Sequence, residues 1–235
     1  MSVAPDATRK GHIDTLIGSL KTAGVWTKLD AIYIFAAHDA QAARLNWVSS
    51  SYDASAVNSP TFTTDRGYTG DGATSYLDTT FNATTAGGNF AQNSAHLAVW
   101  NGTDVVGASI TDAGCLKALI NARTTGSTIA VRGNAGTANT WTLPAATSVG
   151  WSCWSRDNAA TFVGVKDLAA PATLTKTSEA LQSMQFFGLA FSNSGTPTNY
   201  SSRRMQALHF GGAIDDTERD ATYNALATYM TAVGA

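Results

Sequence analysis

From Ser49 to about Gly212 the chain alternates short apolar runs with clusters of Gly, Asn, Asp, Ser and Thr. This punctuation limits the possible folds more than any other feature. The runs "YLDTTF", "AHLAVW", "STIAVRG", "VGWSCWSR", "ATFVGVKDL", "LQSMQFFGLAF" and "RMQALHF" are strand candidates. No long stretch of helical periodicity separates them, as alternating βαβ units would require. An antiparallel β-sandwich is the expectation.

Local chemistry refines it. In "RGYTGDGATSYLDTTFN" the dipeptide Asp71-Gly72 reads as a turn, because Gly tolerates positive φ and Asp bonds to nearby backbone. The strand that follows places Tyr76 and Asp78 on one face and Ser75, Leu77 and Thr79 on the other. In "WSRDNAATFVGV" two β-prone runs flank a polar tip, so a hairpin is expected, with Asp157 and Asn158 as turn formers. "SMQFFGLAF" is apolar on both faces, and is expected to be a central strand covered on both sides by sheet and helix.

The two ends read differently. Ile13, Leu16, Ile17 and Leu20 form one helical stripe, with Pro5 and Asp6 at its start and Gly24 at its stop. That stripe needs a partner surface, on this chain or on another subunit. Ile32 to Phe35 suggests a buried strand, and "HDAQAARLNW" a short helix. At the other end Asp215 and Glu218 have capping-box spacing, ahead of a stripe of Tyr223, Leu226, Ala227 and Met230 that Gly234 closes. The organisation expected is residues 1–25 as a helical docking or packing element and residues 26–235 as the sandwich, with the last helix over 215–233. The 235 residues fit one large domain or a domain with an appendage.

Composition excludes several functions. Only 14% of residues are charged, against about 25% in an average soluble domain, so the surface is covered by small polar residues. Fifteen basic and seventeen acidic residues leave a net charge of −2 with no basic stripe, which argues against nucleic acid as a partner. No apolar stretch reaches the ~18 residues that span a bilayer, so membrane insertion is not expected. The N-terminus lacks a basic segment followed by a long apolar run, so no signal peptide is expected and synthesis would be cytoplasmic. Cys115 and Cys153 form no metal motif and read as small buried hydrophobes. There is no phosphate loop and no nucleophile elbow. His12, His38, His96 and His209 lack metal-ligand spacing and read as surface or half-buried residues.

The stretch "RGYTGDGATSYLDTTF" resembles the early "F-x-G-x-x-S-Y" strand of laminin-G-like and concanavalin A-like jelly rolls. With "NFAQNSAHLAVW", "RDNAATFVGVKD" and "ALHFGGAIDDTERDATYNALATYMTAVGA" in that order, and with the "LDAIYIFAAHDAQAARLNWV" lead-in, residues 26–235 resemble phage and prophage proteins of this fold. The resemblance implies an all-β, concanavalin A-like antiparallel sandwich with a helix at each end. It also implies a virion protein of the tail, fibre or capsid surface, made in the bacterial host.

That family context frames the candidate chemistry. Laminarinase-like glycoside hydrolases of this fold carry Glu-x-Asp-x-Glu on a strand, which sets an acid and a nucleophile on one face. Here Glu179 and Glu218 are the only glutamates and neither lies in such a strand, so hydrolysis ranks third. Calcium occurs in related folds, and Asp65 and Asp71 are its candidate ligands here, set against their simpler reading as turn residues. Carbohydrate binding needs an aromatic platform beside polar groups. Trp100 and Trp154 are the candidates, set against burial beneath the terminal helices. The expectation is therefore a non-enzymatic structural protein of a virion. Its partners would be other virion proteins, further copies of itself and host-surface glycan. A stand-alone lectin-like module is the alternative.

Overall fold

Asp6 starts the first helix, α1 (Ala7–Thr22), by accepting the Arg9 N–H at 2.7 Å. Gly24, with φ of +76°, lies just past its end. The computed structural model describes residues 3–235. A 3-10 turn at Trp26–Lys28 leads into β1 (Leu29–Ile34). The helix expected in "HDAQAARLNW" is only a 3-10 turn, Ala42–Arg44. Asp39 Oδ1 caps it, accepting N–H bonds from Gln41 at 2.8 Å and Ala42 at 3.0 Å. By Leu45 the backbone is already extended, and Trp47 N donates to Ile32 O at 3.1 Å, so bonding to β1 takes over from helix growth.

The remaining elements follow in chain order. They are β2 (Ser55–Val57), β3 (Thr61–Thr63), β4 (Gly67–Thr69), β5 (Tyr76–Asn82), β6 (Ala95–Asn101), β7 (Ala113–Cys115), β8 (Ala118–Asn121) and β9 (Thr128–Gly133). Next come β10 (Asn139–Thr142), β11 (Gly150–Arg156), β12 (Thr161–Lys166), β13 (Ala172–Thr175), β14 (Gln185–Gly188), β15 (Phe191–Asn193), β16 (Thr196–Thr198), β17 (Arg204–Gly211) and α2 (Asp216–Val233). The first sheet runs β13-β12-β11-β6-β17-β4-β3, and β1 shares the far edge of β17 with β4. The second runs β10-β9-β8-β7-β14-β5-β2, with the β15–β16 hairpin joined to β7 by a parallel bridge at Ser192 and Cys115. All other pairings between named strands are antiparallel. The protein is an antiparallel β-sandwich of two sheets, mostly β, with one helix at each end.

Strand alternation sorts the side chains into two cores. Leu97 and Val99 of β6 and Trp154 of β11 point between the sheets, where Phe81, Phe186 and Phe210 pack with ring centroids 4.7–5.7 Å apart. Ala98, Trp151 and Cys153 point the other way, against Leu16 and Leu20 of α1 and Leu226, Tyr229 and Met230 of α2. The molecule is therefore three layers deep: helices, first sheet, second sheet. The apolar stripe of α1 finds its partner surface on its own chain. Both cysteines are free and buried.

Two expectations need correction. The cover of helices on one face and second sheet on the other belongs to strands of the first sheet such as β17, where Met205 to Gly211 are buried. "SMQFFGLAF" divides instead into β14 and β15 at Leu189, which has φ of +61°, and belongs to the sheet farther from the helices. The buried arc of α2 is also rotated. Thr222, Ala225, Leu226, Tyr229 and Met230 are buried, while Tyr223 and Ala227 are half-buried. α2 packs on α1 as well as on the sheet, which widens the arc beyond a single stripe. The capping box is present, with Glu218 N bonded to Asp215 Oδ1 at 2.9 Å and Asp215 N to Glu218 Oε2 at 2.8 Å. None of the described helices is long and apolar enough to cross a membrane.

Candidate functional site

The candidate residues named from sequence fall at separate places. Asp71 closes a turn: its Oδ1 accepts the N–H groups of Ala73, Thr74 and Ser75 at 2.8–2.9 Å, and its Oδ2 accepts the Thr74 hydroxyl at 2.7 Å. These donors hold its carboxyl well below the usual carboxylate range. Gly72 supplies the positive φ, +73°. Asp65 is ion-paired with Arg9 of α1, which also donates to the Tyr229 hydroxyl at 3.1 Å. Among the described residues no group of three His, Cys, Asp or Glu side chains is arranged to hold a metal ion. Trp154 is fully buried between Phe90 and Phe162 and has no face to offer a ligand. Trp100 is half-buried and stacks on Tyr223 of α2 at 5.5 Å.

Two histidines are deeper than their sequence context suggests. His96 and His209 are both fully buried on the helix side of the first sheet. His96 Nδ1 donates to Gly212 O at 2.5 Å, His209 Nδ1 donates to His96 Nε2 at 3.0 Å, and Trp151 Nε1 donates to His209 Nε2 at 3.1 Å. This chain of bonds satisfies every ring nitrogen with both imidazoles neutral. Burial pushes His96 down to about 4 and His209 well below its ordinary value. No local pattern signals this pair, because the two strands meet from 113 residues apart.

Buried cations bind the loops. Arg203 Nη1 donates to Asp112 Oδ2 at 2.6 Å and Asn121 Oδ1 at 3.1 Å, and its other nitrogens donate to the carbonyls of Val105 and Arg123. Arg156 is likewise spent on the carbonyls of Gly133, Asn158, Thr161 and Lys176. A cavity of about 280 Å³ at the start of α2 is lined by Asp157, Asp215 and Asp216 among others. Asp215 is held in the capping box and Asp216 pairs with Arg219, so this cavity holds no free carboxylate pair.

The helices cover the outer side of the first sheet, and the sheet face free of helices is the outer side of the second. There the alternation of β5 buries Leu77, Thr79 and Phe81 and turns Tyr76 and Asp78 outward. In register, Tyr76 lies opposite Val57, and Asp78 lies between Ser55 of β2 and Phe187 of β14. The Tyr76 ring packs on Phe187 at 4.7 Å and faces Tyr200 at 6.4 Å. Tyr76, Tyr200 and Asp78 are half-exposed, while Phe187 floors the cluster. Asp78 Oδ1 accepts the Thr80 N–H at 2.8 Å. Burial, then the Asp78 charge, raise the Tyr76 phenol above its ordinary value. Beside β2, Ser55 also lines a cleft of about 210 Å³ with Gln41, Arg44, Leu45, Asp53 and Ala54. Aromatic rings beside a carboxylate and hydroxyls can pack the C–H face of a pyranose and accept hydrogen bonds from its hydroxyl groups.

No protein-family model matches the chain. No curated protein matches it either. Solved structures do. A structure of botulinum neurotoxin type C, whose cell entry depends upon interaction with two ganglioside molecules, has a TM-score of 0.55 at 9% identity, covering 87% of this chain and 53% of that one. The binding domain of Paraclostridial Mosquitocidal Protein 1 has a TM-score of 0.51 at 6% identity, covering 86% and 53%. Domain 4 of an extracellular arabinanase from Geobacillus stearothermophilus, solved with arabinotriose, has a TM-score of 0.47 at 14% identity, covering 83% and 98%. The chain spans about half the length of the neurotoxin and mosquitocidal neighbours. At these identities the likeness to those two concerns the fold, and that fold is the β-sandwich described above.

Proposed function

We propose that this chain is a non-enzymatic structural component of a phage or prophage virion, on the tail, fibre or capsid surface, and that it binds host-surface carbohydrate. The observation that carries the binding half is the Tyr76–Asp78–Tyr200 cluster, half-exposed on the outer side of the second sheet. The ganglioside dependence of the neurotoxin neighbour supports, by analogy of fold, that a glycan is bound; gangliosides are sialylated, so it does not bear on the charge of the glycan bound here. The virion half is supported by the ordered motifs of residues 26–235 and by a surface poor in charge. The non-enzymatic reading is supported by the engagement of both glutamates. Glu179 accepts the Gly136 N–H at 2.7 Å and pairs with Lys117, while Glu218 caps α2 and pairs with Lys28.

The stand-alone lectin-like module is the second reading, and one observation favours it. α1 places Leu16 and Leu20 in the core with α2, so its apolar stripe is not free to dock on a particle. Cosedimentation with purified particles at a fixed copy number is expected for a virion component. A chain that binds glycan as a monomer and never fractionates with particles contradicts that role and supports the module.

A further inference from the structure

We infer that the ligand class of the β2–β5–β14 face is a neutral pyranose glycan with adjacent free hydroxyls, and that the face rejects sialylated and uronic-acid sugars. The inference rests on the carbohydrate reading above and adds its charge selectivity. Ser55, Val57, Tyr76, Asp78, Phe187 and Tyr200 include no basic residue. The one charge among them is Asp78, set in register between Ser55 and Phe187. One Asp78 oxygen is taken by the Thr80 N–H, so the carboxylate is fixed in orientation and keeps a second oxygen for a ligand. A carboxylate held beside a tyrosine ring accepts hydrogen bonds from sugar hydroxyls, and charge-assisted bonds of that kind are stronger than neutral ones. The same charge repels a sugar carboxylate at close range.

The neighbouring cleft does not reverse this balance. Its cation, Arg44, directs Nε to Ala40 O at 3.1 Å and Nη1 to Ala54 O at 3.5 Å, and the cleft also holds Asp53. Face and cleft together carry two carboxylates against one guanidinium. The hydroxyls of Tyr76 and Tyr200 and of Ser55 add donors suited to uncharged ring and hydroxyl oxygens.

The test uses the full chain on an array that pairs neutral oligosaccharides with acidic counterparts, such as lactose with sialyllactose and galactotriose with trigalacturonic acid of the same linkage. Tyr76→Ala and Asp78→Asn are run beside it. Thermal melting checks each fold, since both side chains are half-exposed. The expected result is binding to neutral members at least tenfold above their acidic counterparts. Tyr76→Ala should lose it, and Asp78→Asn should weaken neutral binding and narrow the preference. Binding confined to acidic glycans and lost in Tyr76→Ala overturns the neutral class while the carbohydrate face stands. A preference unchanged in Asp78→Asn also overturns it. Binding to no glycan overturns the carbohydrate reading itself. If it is accompanied by self-association that Tyr76→Ala abolishes, the face belongs to a second copy of the chain.

Discussion

His96 and His209 meet in the interior with their rings tilted by 51°, and each ring nitrogen has a partner only while both rings are neutral. Protonating either imidazole would set N–H against N–H, or leave a buried cation with no carboxylate beside it. Lys28 adds a repulsive charge near His96. Both groups are lowered in the folded state, so below an ordinary value of 6.5 the unfolded chain binds more protons than the folded one. Stability from this pair is complete above pH 6.5 and declines as pH falls towards 4 and below. For His96 alone the displacement to about 4 corresponds to about 3 kcal/mol. Urea unfolding at pH 7.5 and pH 4.5 should show this loss, and His96→Gln should reduce its slope. Equal slopes in the two proteins would contradict it. At this scale, legibility depended on distance along the chain. The Asp71-Gly72 turn was readable because its donors are Ala73, Thr74 and Ser75. The histidine pair was not, because strand order had to be known first.

Among the elements, β7, β8 and β17 are held together at one end of the sandwich by Arg203. It precedes β17 in the first sheet, and its partners Asp112 and Asn121 lie at β7 and β8 of the second. Asp112 also accepts the Ala122 N–H at 2.7 Å, so one carboxylate joins both sheets and a loop. Removing one partner of a fully buried pair leaves an uncompensated charge, at a cost of about 3–5 kcal/mol. Asp112→Ala should therefore lower the urea midpoint sharply. A midpoint within experimental error of the parent would contradict the assignment. The sequence revealed the helix starts and the hairpin at Asp157–Ala160, since caps and turns are local. It misjudged what covers "SMQFFGLAF", because two apolar faces show that a run is covered without showing what covers it. β14 satisfies the pattern through Tyr76 and the inter-sheet core, and β17 through α2 and that same core.

For the whole molecule, the layered order decides where a ligand can sit. Two helices cover the first sheet, so the trait that makes tryptophan attractive as a sugar platform, a large apolar ring, instead draws Trp100 and Trp151 beneath α2 and Trp154 between the sheets. Aromatic content and strand alternation pointed to Trp100 and Trp154. The alternation of Tyr76 and Asp78 was readable from sequence, but their meeting with Phe187 and Tyr200 depends on contacts more than 100 residues apart along the chain. The measurement that bears most directly on this account is a backbone amide NMR titration of the full chain with the neutral oligosaccharide selected on the array. Shifts confined to the strands around Ser55, Tyr76, Asp78, Phe187 and Tyr200 are expected. Shifts centred instead on the α1–α2 groove or on the cavity at the start of α2 would contradict it.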